Sequence, residues 1–126
     1  MRIYLAAGPA GVRTLKDTGV VTAPGYVVTS GMRGADPGAD EEDLEYEAAL
    51  LAEAALREAG QVVVVIAADV PDTGAGPEGD PRVDPGPVPV SSVVSFHVAE
   101  HDAPPDEELL WYDVTEIDDV LAYLGA

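Results

Sequence analysis

The sequence contains no cysteine and few basic or aromatic residues. The absence of cysteine among 126 residues excludes disulfide bonds, thiolate metal ligands and thiol catalysis, which leaves oxygen and imidazole chemistry. Six basic residues stand against 24 acidic ones, and the formal net charge is −18. A surface with this balance repels phosphate backbones, so the sequence predicts no direct binding to nucleic acid.

Long hydrophobic runs are also missing. The apolar opening at residues 3–7 is too short for the core of a secretory signal, and no stretch of membrane-spanning length follows it. We therefore expect a cytoplasmic protein that does not contact membranes. Hydrophobic residues still make up 47% of the chain, which is enough to form a core despite the charge. At this length we expect a single domain over residues 1–126.

Residues 40–59 carry the clearest helical signal. Asp40 is a favourable helix cap, the acids after it suit the positive end of the helix dipole, and Gly60 follows the last turn. An apolar stripe at helical spacing predicts the face that packs on a sheet: Leu44, Ala48, Leu51, Ala55 and Leu56. We therefore expect Leu51 to be buried and Glu53 to face solvent.

Several β-rich segments accompany this helix. The run at residues 62–66 has no polar alternation, which is typical of a central strand covered on both faces. Strands are also predicted at residues 2–6, 26–29 and 109–113, and within 88–98, where a turn of helix near Ser91 precedes the strand. Thr115 and Asp118 resemble a capping box that opens a terminal helix.

These elements predict an α/β or α+β fold. The expected architecture is a mixed β-sheet of about five strands, with the long helix and shorter helices packed on it. Flexible loops are expected over residues 31–39, 71–87 and 102–106, where glycine, proline or acidic residues dominate.

Three segments occur in a recognisable order after the opening Met1–Leu5. They read DEEDLEY at 40–46, VVVIAADVPD at 63–72 and ELLWYDVTEI at 108–117. Taken together, they resemble a family of small actinobacterial proteins of unknown function over most of the chain. That family has no known activity, so the resemblance implies a bacterial source and compartment and carries no reaction, cofactor or site residue.

An interaction surface is the first functional hypothesis. Glu41, Glu42 and Glu45 cluster at the start of the predicted helix and suit a basic protein partner. Trp111 and Tyr112 form an aromatic pair on a short strand, so one ring should enter the core while the other faces out as an interface anchor. The hypothesis is a non-catalytic module without a cofactor, in which no residue is assigned a catalytic role.

A ligand site is the alternative hypothesis. Asp69 and Asp72 follow the most buried strand, and in a parallel sheet the carboxyl end of a central strand is a common ligand site. These carboxylates and His97 would then serve a small cation-dependent enzyme or a ligand-binding protein. His97 also opens an H-x-x-E-H sequence that ends at His101, the inverted zincin motif, but prolines soon after it disfavour the helix which that motif requires.

The acidity also has an interpretation that needs no partner. A high net charge keeps a protein dispersed, as in a salty cell interior. Carboxylates clustered on one face would favour the interaction hypothesis, whereas an even spread would favour this third interpretation. Convergence of Asp69, His97 and another acid in one pocket would favour the ligand site.

Overall fold

The computed structural model describes residues 1–71, 80–101, 103–104 and 107–125. These residues form eight strands, four α-helices and two short 3₁₀ helices. The strands are β1 (Arg2–Ala6), β2 (Val20–Val21), β3 (Gly25–Tyr26), β4 (Val64–Asp69), β5 (Arg82–Val83), β6 (Val88–Pro89), β7 (Val93–Val98) and β8 (Leu110–Asp113). The α-helices are α1 (Gly8–Thr18), α2 (Ser30–Ala35), α3 (Glu41–Glu58) and α4 (Ile117–Leu124), and the 3₁₀ helices are Val90–Ser92 and Val114–Glu116.

Six strands form the main sheet, in the order β5-β3-β1-β4-β7-β8. Every pairing in it is antiparallel, so the fold is α+β. The sheet is therefore antiparallel where a mixed sheet was expected, and it has six strands where about five were expected. The strands β2 and β6 pair separately as a two-stranded ribbon. The unbroken apolar run of β4 reflects helices on both faces of the sheet and does not require parallel neighbours.

Helices cover the two faces of the sheet unequally. On one face, α1 packs on β4 and α4 packs on β7 and β8, over a core that includes Ile3, Leu5 and Phe96. On the other face, α3 packs on β1, β3 and β4, over a smaller cluster that includes Tyr4 and Val65. None of the described helices combines the length and apolar character that a membrane span requires.

The predicted orientation of α3 is wrong at two positions. Leu51 is 38% exposed, whereas the buried residues advance in steps of four from Leu44 through Ala48 and Ala52 to Leu56. Leu51 lies about 100° of helix rotation away from Ala52, on the flank of the packed stripe. Glu53, expected on the solvent side, is only 6% exposed.

Local chemistry explains where the other elements differ from prediction. The expected loop at 31–39 begins inside α2, whose first turn is capped because the Thr29 hydroxyl accepts a bond of 3.1 Å from the Met32 amide. Within the expected loop at 71–87, β5 pairs with β3, while residues 72–79 lie outside the described part. The capping box near the last helix uses Asp113 and Glu116, two residues earlier than predicted.

Candidate functional site

A groove opens beside α3, on the face of the sheet that this helix covers in part. Its volume is about 340 Å³. The described residues that line it are Tyr4, Glu42, Glu45, Tyr46, Ala49, Leu50, Glu53, His97, Glu107, Glu108 and Leu109. Five of these carry carboxylates and none is lysine or arginine, so the groove is strongly acidic. We refer to it as the acidic groove.

The acidic groove exists because α3 leaves part of the sheet open. The helix packs on the β3-β1-β4 side, and Trp111 of β8 remains 60% exposed. Trp111 is paired in register with His97 of β7, so both side chains lie on the face that α3 shares. One wall is the flank of α3, and the opposite wall is formed by residues 107–109, just before β8 begins.

Tyr4 lies at the floor of the acidic groove and keeps its proton. It is 7% exposed, and its hydroxyl donates to Glu45 Oε2 across 3.3 Å. Burial, reinforced by the negative charge of Glu45, raises the pKa of Tyr4 to about 12. At neutral pH, Tyr4 is therefore a neutral hydrogen-bond donor that orients the Glu45 carboxylate.

His97 contributes no positive charge at neutral pH. Burial lowers the pKa of His97, and the nearby Arg2 guanidinium lowers it further. The Ser95 hydroxyl lies 2.9 Å from His97 Nε2, within hydrogen-bond distance of the imidazole. The five carboxylates therefore outweigh Arg2, the nearby cation whose charge also acts on Tyr4 and Glu45.

The basic residues are occupied by intramolecular ion pairs. Each of the six lysine and arginine side chains lies within 4.0 Å of a carboxylate. The pairs are Arg2–Asp69, Arg13–Asp17, Lys16–Asp118, Arg33–Glu41, Arg57–Glu53 and Arg82–Asp84. Only the Arg57–Glu53 pair involves a residue of the acidic groove, with a nitrogen–oxygen distance of 2.8 Å.

The predicted interaction residues are divided between different parts of the molecule. Glu42 and Glu45 line the acidic groove, whereas Glu41 does not and pairs with Arg33 at 2.6 Å. Trp111 is the exposed ring of the aromatic pair. Tyr112 packs against the core on the opposite face of the sheet.

Asp69 and His97, the two described residues of the ligand-site hypothesis, lie apart. Asp69 is held by Arg2 at 2.7 Å, and this hydrogen bond lowers the pKa of the Asp69 carboxyl. Asp69 lies four residues beyond Val65, the register partner of His97, so about 13 Å along the strands separates it from His97. Asp72 lies outside the described residues. Within the described part of the chain, no three histidine or carboxylate side chains form a group that could hold a metal ion.

The H-x-x-E-H sequence also separates in space. His97 lies on a strand and faces the acidic groove, whereas His101 lies beyond the end of that strand. The His101 ring stacks on the ring of Tyr123 in α4, with 4.5 Å between the ring centroids. The His101 Nε2 atom lies 3.1 Å from the Tyr123 carbonyl oxygen. The helix that would bring two zinc ligands together is absent at these residues.

Several residues of the acidic groove are not marked by any sequence pattern. Glu53 falls outside the apolar stripe of the helix, so the sequence pattern predicts a solvent-facing position and gives no sign of a groove wall. The acids Glu107 and Glu108 follow a proline-rich break and gave no periodic signal. Tyr4 stands between Ile3 and Leu5 on β1, so strand alternation predicts that its side chain lies on the opposite face of the sheet from theirs.

Comparison with known protein families gives a match over most of the chain. The family model of DUF6912, a family of unknown function, matches residues 1–106. No curated protein and no solved structure matches the chain.

Proposed function

We propose that the chain, which belongs to the DUF6912 family, is a non-catalytic binding protein whose acidic groove holds a basic segment of a partner protein. The observation that carries this proposal is the composition of the groove. Five carboxylates line one concave surface that contains no lysine or arginine among its described residues. A concave site of one charge sign concentrates ligands of the opposite sign.

The ion pairs elsewhere strengthen this argument. All six basic side chains are engaged by carboxylates, and only Arg57 pairs with a groove acid. In the described part of the chain, no lysine or arginine nitrogen therefore lies within 4.0 Å of Glu42, Glu45, Glu107 or Glu108, and the Arg2 charge acts on Glu45 only from a greater distance. A bound cation would relieve the mutual repulsion of these carboxylates.

The apolar residues of the acidic groove suit lysine and arginine side chains in particular. Tyr46 is 59% exposed and Leu50 is 42% exposed, and both line the groove next to the acids. Lysine and arginine carry aliphatic stems that pack on such surfaces while their charged ends reach carboxylates. The Tyr46 ring additionally offers a face for a cation–π contact.

A synthetic peptide tests the proposal. The probe is acetyl-Arg-Val-Arg-Val-Arg-Val-Arg-amide carrying a fluorophore, and its affinity is measured by anisotropy at 50 and 500 mM NaCl. We expect binding at low salt that weakens steeply at high salt. The triple variant Glu42→Gln, Glu45→Gln, Glu108→Gln should bind about tenfold more weakly or worse, because three surface ion pairs contribute about 0.5–1 kcal/mol each.

A matched control separates the groove from the overall charge. Asp36→Asn, Glu58→Gln and Asp119→Asn together change the net charge by the same amount at exposed positions outside the groove. This control should retain affinity within about twofold to threefold. Equal losses in the two triple variants would assign binding to the general field of the protein, and no binding at 50 mM NaCl would reject the proposed function.

A further inference from the structure

The last strand of the sheet presents an unpaired backbone edge next to the acidic groove. The Ala99 amide donates to the Val63 carbonyl at 3.1 Å, so the odd-numbered residues of β7 direct their backbone groups toward β4. The even-numbered residues, Phe96 and Val98, therefore bond to β8 through their register partners Tyr112 and Leu110. The backbone groups of Trp111 consequently point away from β7, toward the open edge.

Asp113 confirms this direction independently. Its amide donates to Glu116 Oε1 at 3.0 Å, outside the ladder with β7. Trp111, two residues earlier, has the same orientation because backbone direction alternates along a strand. Its amide and carbonyl have no hydrogen-bond partner within the described part of the chain, and β8 is the terminal strand of the sheet there.

The side chain of Trp111 connects this edge to the acidic groove. It is 60% exposed and lies beside His97, which lines the groove. The chain leading into β8 passes through Glu107, Glu108 and Leu109, which form one wall of the groove. A strand added at Trp111 would therefore run alongside two of the groove carboxylates.

We propose that the partner segment is an extended basic peptide that pairs as an added strand with the Trp111 edge of β8. This inference rests on the proposed function and specifies how the ligand is bound. Exposed strand edges bind extended peptides through main-chain hydrogen bonds, while side-chain sites give specificity. In an antiparallel arrangement, the peptide residue opposite Trp111 would donate its amide to the Trp111 carbonyl and accept a hydrogen bond from the Trp111 amide. Its side chain would lie on the groove face, where an arginine reaches the acids.

Charge selects this occupant over a second copy of the chain. Each copy carries a net charge of −18, and antiparallel pairing of two β8 edges would place the carboxylates of both acidic grooves on the same face of one continuous sheet. Like charges across adjacent strands are destabilising. The same carboxylates attract a basic segment, so the edge is protected from self-association and open to a cationic strand.

The decisive experiment methylates the backbone of the same arginine–valine peptide. The peptide residue that pairs with Trp111 lies on the same face of the sheet as Trp111, which is the groove face. If arginines occupy that face, their backbone amides therefore point toward β8, and the valine amides point away from it. Methylation of the last three arginine amides should weaken binding at least tenfold, whereas methylation of the three valine amides should leave affinity within about threefold. Equal affinities of the two methylated peptides, or the reverse preference, would overturn strand addition.

Two protein variants provide the matched test on the other side of the interface. Trp111→Pro removes the outward amide without removing a bond to β7, and Trp111→Val removes the same ring but keeps the amide. The proline variant should bind the unmodified peptide at least tenfold more weakly than the valine variant. Equal binding by these variants would overturn the inference, as would a dimer of the free protein, seen by light scattering, that Trp111→Pro dissociates.

The outcomes distinguish the inference from the proposed function. If the unmodified peptide does not bind at 50 mM NaCl, the acidic groove is not a site for basic segments. If it binds with dependence on the groove acids but without dependence on backbone methylation, the groove function stands and strand addition is wrong.

Discussion

Replacing Leu56 by alanine tests how α3 lies on the sheet. Leu56 is 3% exposed and belongs to a cluster composed mainly of alanine and valine, with Tyr4 as its largest member. The substitution removes three carbon groups, each contributing about 0.8 kcal/mol of burial, so the transfer contribution is about 2.4 kcal/mol. Small neighbours fill little of the resulting cavity, so we expect a total loss of about 3–5 kcal/mol in the free energy of unfolding.

Leu51→Ala is the matched control on the same helix. Leu51 is 38% exposed, so the same change removes less buried surface, and alanine slightly favours the helix. We expect this loss to stay below about 1 kcal/mol. Urea unfolding followed by circular dichroism measures both values, and at a slope of about 2 kcal/mol per molar the Leu56 midpoint should fall by about 2 M. A loss for Leu51→Ala as large as that for Leu56→Ala would refute the orientation of α3.

Three further predictions address backbone packing, ionisation and charge. A Cβ atom on Gly25 would lie 2.7 Å from Ile3 Cγ1, so Gly25→Ala should destabilise the protein by about 1–3 kcal/mol. Gly34 lies in open space on α2, so Gly34→Ala should be neutral or stabilising in the same urea assay. Losses of equal size in the two variants would contradict this prediction. Absorbance titration at 295 nm should show a tyrosine with a pKa of about 12 that Tyr4→Phe removes. The raised pKa of Tyr4 implies stability that is complete below pH 10 and is lost as the pH rises toward 12, so the alkaline loss should be smaller in Tyr4→Phe. The melting temperature should rise between 0.05 and 1 M NaCl, because 24 acids face six bases, and a flat or falling value would show that the acids do not repel one another appreciably.

Much of the secondary structure follows from local sequence signals. The long helix was predicted at residues 40–59 and spans Glu41–Glu58, because an acidic first turn and a following glycine mark its ends. The order within 88–98 is confirmed as well, with the 3₁₀ helix Val90–Ser92 leading into β7. Strand pairing did not follow, because an apolar run such as β4 has the same composition between parallel and antiparallel neighbours.

The candidate site was predictable only in part. Glu42, Glu45 and His97 were identified from the sequence, and the acidic groove brings them together with acids more than fifty residues away from α3's first turn. The grouping depends on how α3 is rotated and on where residues 107–109 return to the sheet. Both are tertiary properties, and a shift of one helix position exchanges Leu51 with Ala52 at the packed face.

The position of β1 has a consequence for synthesis of the protein. This strand lies in the middle of the sheet, yet its partner β4 begins about 60 residues later in the chain. At ribosomal rates of about 5–20 residues per second, β1 waits roughly 3–12 s for that partner to be synthesised. During this interval Ile3 and Leu5 can be shielded only by segments made early, and α1, which follows directly, is the first amphipathic element available to cover them.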